Sequence, residues 1–309
     1  MLAWGGDGGA DHPGAAPSGS PAPRLPPALA AGRRPVGVAL GTIGVGPRWW
    51  LRGARLLEEV GYAAVWAWDH FISRGRAQDP VLEQWTILAA AAAVTERIGL
   101  GTLVTNVMNR HPAVVARMAA TLQATSGGRF VLGIGIGGHP REHEAYGIAF
   151  PPPAVRAAHL EEAVVVLRSL WEGGPVWRDG PLYPLRGAVA HPRPEPPPPI
   201  IVAGQGPAGV RRAARLGDGW TAPADRFPAL RAQFEQEARA VGRDPSQLVR
   251  IVTLPGGRAK EDAIPITSPW RHDPDGELER WRAAGADLVV VTARTDADLA
   301  ALVAMAERW

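Results

Sequence analysis

The chain has 309 residues, which at about 100–200 residues per domain allows one large domain or two small ones with a sizeable buried core. It contains no cysteine, so disulfides and thiolate metal sites are excluded. The formal net charge is only +3, and the bases, arginine throughout except for Lys260, are scattered among acids without aromatic interleaving, which argues against a nucleic-acid partner.

Residues 1–34 are dominated by Gly, Pro, Ala and Ser, with early acids and no apolar core of the ~7–15 residues that a secretory signal needs. Such a segment cannot bury enough apolar surface to offset its ordering entropy. A disordered tail is expected there, followed by a single catalytic domain over 35–309. No apolar stretch approaches the ~20 residues needed to cross a bilayer. A cytoplasmic protein without a membrane partner is the default expectation.

From Pro35 onward short apolar runs alternate with longer amphipathic ones. "VGVAL" (36–40) predicts a strand and 48–60 a helix closed by Gly61; "AAVWAW" (63–68) and 80–94 repeat the pair. "IGLGTLV" (98–104) leads to a helix over 112–124, where Pro112 suits the first helical turn. "RFVLGIGI" (129–136) precedes a helix over 154–172. In the second half "PIIVAG" (199–204) precedes 207–216, and "GWTAP" (219–223) precedes 227–241. "VRIVTL" (249–254) precedes a helix near 275–284, and "ADLVVVTA" (286–293) precedes 296–308.

The strands read as continuous apolar runs, as they do when helices cover one face and a packed interior the other. Eight strand–helix pairs in about 250 residues is the count of an α/β (β/α)8 TIM barrel. A doubly wound open sheet shares the local pattern and stays open as an alternative. Two insertions interrupt the rhythm. Residues 173–198, after the fourth helix, predict a hairpin turning at Asp179-Gly180. Residues 255–274, after the seventh strand, fall on the face where a barrel carries its chemistry.

One stretch, "RFVLGIGIGGHPREHEAYG" (129–147), offers three readings. Gly133, Gly135 and Gly138 spell a dinucleotide-binding G-x-G-x-x-G. They follow the fourth strand instead of the first, however, and the acids at the right distance, Glu161 and Glu162, lie inside an amphipathic helix. His139, Glu142 and His143 spell H-x-x-E-H, a zinc-peptidase pattern that needs a continuous helix, yet Pro140 sits inside it. The third reading is a strand ending at Gly135–Gly137, where missing Cβ atoms let backbone approach a ligand closely. Glycines serving barrel curvature alone are the plainer explanation.

Other strand ends carry polar groups. Asp69-His70 ends the second strand; a His beside an Asp can hold one tautomer and exchange protons, whereas a helix-capping Asp is the plain alternative. Thr105 and Asn106 end the third. Gly204-Gln205-Gly206-Pro207 ends the fifth and opens a helix, so its free N–H groups form an anion site suited to a phosphate; a tight turn is the plain alternative.

Together "GYAAVWAWDHF", "TERIGLGTLVTNVMNRHPAVVARMAATLQATSGGRFVLGIGIG", "EHEAYGIAFPP" and "PPIIVAGQGPAGVRRAARLGDGW" resemble the luciferase-like monooxygenase superfamily, specifically its coenzyme F420-dependent oxidoreductases. The resemblance covers essentially residues 36–309. It implies a barrel with a deazaflavin in a cleft at the strand C-terminal ends, FMN being the alternative cofactor. Asp69 and His70 would lie near the ring, His70 as proton donor or acceptor and Asp69 orienting it. Leu103-Val104, with Thr105 and Asn106, would form a bulge with a cis peptide under one ring face. Gly135, Ile136, Gly137 and Gly138 would pass the ring and its side chain, and Gly204, Gln205, Gly206 and Pro207 would hold the phosphate. His143 and Tyr146 fall where relatives contact cofactor.

The implied activity is hydride transfer between F420 and a small organic substrate. An FMN-dependent monooxygenase, a NAD-dependent Rossmann enzyme and a non-catalytic cofactor-binding barrel are the competing readings. A homodimer would fit such relatives. Some F420-dependent dehydrogenases carry a glutamate just after the strand-4 glycines and a tryptophan after the Asp-His pair. Here those positions hold Gly138-His139 and "FISRGR", so the resemblance does not extend to a sugar-phosphate substrate.

Overall fold

The structure, a computed structural model, describes residues 29, 34–73, 75–76, 78–254 and 268–308. Its strands are β1 (Val36–Leu40), β2 (Ala64–Ala67), β3 (Gly99–Thr102), β4 (Thr105–Asn106), β5 (Phe130–Gly135), β6 (Val176–Arg178), β7 (Leu185–Ala188), β8 (Ile200–Ala203), β9 (Gly219–Pro223), β10 (Val249–Thr253) and β11 (Leu288–Ala293). The helices are α1 (Pro47–Glu59), α2 (Gln84–Ala92), α3 (Pro112–Thr125), α4 (Pro140–Tyr146), α5 (Pro153–Trp171), α6 (Pro207–Leu216), α7 (Phe227–Ala240), α8 (Pro269–His272), α9 (Pro274–Ala283) and α10 (Asp296–Ala306).

β1 pairs in parallel with β2 on one side and with β11 on the other, where Val36 lies opposite Val289 and Leu40 opposite Ala293. The remaining staves follow round through β3, β5, β8, β9 and β10, all parallel, so the sheet closes on itself. This is the (β/α)8 barrel expected from the strand–helix rhythm, and the open sheet is excluded. β4 extends the third stave beyond a break at Leu103-Val104, whose peptide is cis, and pairs Asn106 with Gly135 of β5.

The strand runs read as continuously apolar because both faces are buried. Val36, Val38 and Leu40 of β1 join the layer between barrel and helices, while Ala39, with Val131, Ile201 and Val290, belongs to the interior cluster. Trp66 fills that interior from β2. A Cβ on Gly101 would lie 2.1 Å from Trp66 Cε3, and one on Gly37 would lie 2.6 Å from its Nε1, so two neighbouring staves give up side chains to admit one large ring. Leu29, inside the segment expected to be a disordered tail, is buried in the same cluster, and a Cβ on Gly99 would lie 3.3 Å from its Cδ2. The rest of that tail, apart from Arg34, lies outside the described residues, as do residues 255–267 of the second insertion.

Buried carboxylates tie the elements together. Glu58, on the inward face of α1, accepts the backbone N–H groups of Glu96, Arg97 and Ile98 at 2.9, 2.6 and 2.9 Å, fixing the approach to β3. Glu162 on α5 accepts the N–H groups of Leu182 and Tyr183 at 3.2 and 2.9 Å and anchors the first insertion. That insertion is a hairpin of antiparallel β6 and β7, but its connection spans 179–184 and is wider than a two-residue turn at Asp179-Gly180. α4 falls within the stretch whose Pro140 argued against a continuous helix; its proline takes the first turn.

Candidate active-site cleft

The C-terminal ends of β2, β3–β4, β5 and β8 surround a cleft of about 700 Å³, within the ~300–1,000 Å³ typical of small-molecule sites. Of the residues singled out from sequence, Asp69, His70, Leu103, Val104, Asn106, Gly135, Ile136, Gly137, Gly138, Gly204, Gln205 and Gly206 all line it. Thr105, Pro207, His143 and Tyr146 do not. Thr105 points into the barrel–helix layer, its hydroxyl donating to Gln84 at 2.9 Å. Tyr146 is 57% exposed and donates its hydroxyl to the Phe71 carbonyl at 3.1 Å.

Asp69 does not orient His70. Its buried carboxylate receives Arg110 Nη1 on both oxygens, at 3.0 and 2.9 Å, together with the Asn106 backbone N–H at 2.9 Å and Asn109 Nδ2 at 3.1 Å. Arg110 also reaches Glu83, which accepts from Trp85 and Thr86 as the N-cap of α2. Asp69 is therefore the clamp that fastens the segment just after the cis bulge to the end of β2. The acid beside His70 is Glu142 of α4: His70 Nδ1 lies 2.8 Å from Glu142 Oε1. In the sequence Glu142 belongs to the H-x-x-E-H pattern and to "EHEAYGIAFPP", but no local signal joins it to a residue 72 positions away.

The glycines in and just after β5 have steric reasons that no dinucleotide fingerprint requires. A Cβ at Gly133 would lie 2.0 Å from the Thr102 carbonyl oxygen, and one at Gly135 would lie 2.9 Å from Val104 Cγ2, so both make room for the bulge. Gly137, at φ +74, packs its backbone against the Asn106 amide. That amide is fixed: its Oδ1 accepts from Met108 N–H at 3.0 Å, so Nδ2 faces His143 Nε2 at 2.8 Å. His143 Nε2 must then accept, which makes the imidazole neutral. Burial likewise holds His143 below the ordinary histidine pKa. His143 thus supports the bulge from behind, its Nε2 taken up by Asn106. Among the described residues no group of three or more His, Cys, Asp or Glu is arranged to hold a metal ion. Glu161 and Glu162, the acids a dinucleotide site would need, are engaged with Arg212 and Arg215 and with the hairpin backbone respectively.

At the other end of the cleft, β8 runs into α6 through Gly204 to Pro207. A Cβ on Gly209 would lie 2.8 Å from Gly204 Cα, and one on Gly204 would lie 2.6 Å from the Gly209 carbonyl carbon. Only two glycines permit this crossing, and Gly209 went unremarked in the sequence. Among the described residues no side chain caps α6, which leaves the N–H groups at its start to a ligand, and Ala208 and Gly209 line the cleft there. Arg212 stands one turn further on, its Nε 2.9 Å from Glu161. A Cβ at Gly138 or Gly206 would meet no atom within 4 Å, so both backbones front open space.

A second cavity of about 230 Å³ opens over the barrel axis and shares Leu103, Val104, Ala203 and Gln205 with the cleft. Thr221, Thr253 and Thr292 line it along with apolar groups such as Trp68 and Leu254. The Thr221 Oγ1 is buried with no hydrogen-bond partner among the described residues.

The luciferase-like monooxygenase family model matches residues 20–256. The chain belongs to the luciferase-like monooxygenase family. The family match begins inside the segment expected to be a tail. Within the luciferase-like family, the chain is 37% identical over 196 residues to an F420-dependent glucose-6-phosphate dehydrogenase of Kineococcus radiotolerans, covering 60% of this chain and 58% of that protein. It is 35% identical over 204 residues to an F420-dependent hydroxymycolic acid dehydrogenase of Mycobacterium tuberculosis, covering 65% and 56%. These matches thus span little more than half the length of either relative. The solved structure of an F420-dependent secondary alcohol dehydrogenase in complex with an F420-acetone adduct superposes with a TM-score of 0.76 at 24% identity, over 89% of this chain and 98% of that one, which shows the shared luciferase-like fold. Among the described residues no helix is long and apolar enough to cross a membrane.

Proposed function

We propose that this chain is an oxidoreductase that binds coenzyme F420 in the cleft and acts on a small organic alcohol or the corresponding ketone. The observation that carries this reading is one continuous cleft with His70 on one wall, Leu103 and Val104 beneath and the start of α6 at the far end. That arrangement fits a planar ring with a phosphate tail: backbone at Gly135–Gly138 flanks the ring, and the α6 N–H groups with Arg212 receive the anion. The F420 dependence of similar proteins supports the choice of cofactor. When bound, the deazaflavin supplies the hydride chemistry at its C5 carbon.

The chain's own residues then have two tasks. His70 Nε2, which has no hydrogen-bond partner among the described residues, takes the hydroxyl proton as an alcohol is oxidised and returns it as a ketone is reduced. Thr221 lines the adjoining cavity, and a small side-chain rotation would bring its buried hydroxyl to the substrate oxygen. Cofactor binding is checked by titrating purified F420 and FMN separately and following quenching of each fluorophore. Saturable quenching of F420 is expected, and binding of FMN alone would refute the assignment in favour of an FMN-dependent monooxygenase.

A further inference from the structure

We propose that Glu142 is the positioning residue that fixes which nitrogen of His70 meets the substrate, an inference that rests on the proton-transfer role given to His70 above. The Glu142 side chain is 3% exposed although it forms part of the cleft wall, and its Oε1 lies 2.8 Å from His70 Nδ1. An ionised carboxylate only accepts hydrogen bonds, so Nδ1 carries the hydrogen and the lone pair of a neutral ring sits on Nε2. Nε2 is the nitrogen left without a partner among the described residues. When it takes the substrate's hydroxyl proton, the resulting imidazolium is held against a buried carboxylate. Returning the proton in the opposite direction restores the same tautomer.

Among the described residues the other neighbouring groups are engaged elsewhere or lie too far from Nδ1. Both Asp69 oxygens are occupied by Arg110, and the Arg110 guanidinium lies over Phe71, 5.8 Å from its centroid. His139 Nδ1 is 3.9 Å from the same Glu142 oxygen, beyond hydrogen-bond distance, and its ring meets His70 edge-on with centroids 5.9 Å apart, so it flanks the pair. The backbone explains the placement. Pro140 starts α4 directly after the glycine turn and Gly147 ends it in the left-handed conformation, so Glu142 falls in the first turn, beside the cleft.

The experiment is 15N NMR of the histidines in the cofactor-free full chain, paired with steady-state kinetics, for wild type, Glu142→Gln, Glu142→Asp and Glu142→Ala. In wild type the His70 signals are expected to report hydrogen on Nδ1. In Glu142→Ala they are expected to shift toward a mixture of both tautomers. In Glu142→Gln, kcat is expected to fall on the order of 10²–10⁴-fold with KM changed less than threefold, and Glu142→Asp is expected to recover part of the loss. His70 signals identical in wild type and all variants would overturn the proposal, whatever the kinetics show. If Glu142→Ala fails to fold, Gln and Asp carry the same comparison. A tautomer shift in a protein that binds no F420 would leave the positioning role standing and remove the cofactor reading instead.

Discussion

The Thr221 hydroxyl is buried with no partner among the described residues. A buried hydroxyl without a partner costs roughly 1–3 kcal/mol relative to one that is bonded, and such groups are uncommon in native interiors. Thr221→Val removes that hydroxyl while keeping the shape. The expected outcome is an unchanged or raised melting temperature together with a kcat/KM lowered about 5- to 30-fold, equivalent to losing about 1–2 kcal/mol with the substrate. Calorimetry and turnover on one preparation measure both. A drop in stability with unchanged kinetics would make Thr221 an ordinary core residue. At this scale sequence and structure diverged most. Asp69-His70 was legible as a pair because the residues adjoin, but they lie in the irregular segment after β2, where the partners brought up by the fold decide which way each side chain turns. Asp69 therefore turns to Arg110 and His70 to Glu142.

Elements are fastened by buried carboxylates that accept backbone N–H groups, and Glu58 is the clearest case. Burial alone would push its carboxyl up, but the bonds from Arg97, Ile98 and Glu96 outweigh it and hold the pKa below the ordinary glutamate value. The folded-state pKa thus lies below the unfolded one, near 4.3. The stabilisation is complete above the unfolded value and is lost as pH falls through the lower folded value. Glu58→Gln should unfold about 1–3 kcal/mol more easily at pH 7, and the gap from wild type should narrow in denaturant titrations at progressively lower pH. A gap of constant size across pH would show that the charge contributes nothing. Helix positions were legible because apolar residues recur at helical spacing, as Trp50, Ala54 and Leu57 do on α1. The start of α4 was not: a helix of seven residues has too few turns for a period to show.

For the whole molecule, barrel closure depends on filling the axis, and Trp66 does much of that filling, buried completely with Gly37 and Gly101 beside it. Trp66→Ala should cost about 3–5 kcal/mol, since neither facing glycine can extend into the void. Urea unfolding measures it, and a loss under 1 kcal/mol would mean that the interior collapses around the gap. The glycines that resembled a nucleotide fingerprint belong to the same account, because Gly133 and Gly135 admit the bulge that ends the neighbouring stave.

Apolar runs of strand length, helical spacing and capping residues act over a few positions, so the order of staves and helices and the glycine-lined strand ends follow from the sequence by itself. Closure follows only from tertiary structure, because β1 meets β11 across some 250 residues and pairs there by register. The same holds for the His70–Glu142 contact and the orphaned Thr221 hydroxyl. Each is created by backbone brought together across the barrel mouth, where geometry and exclusion of water, not local composition, decide which polar groups find partners.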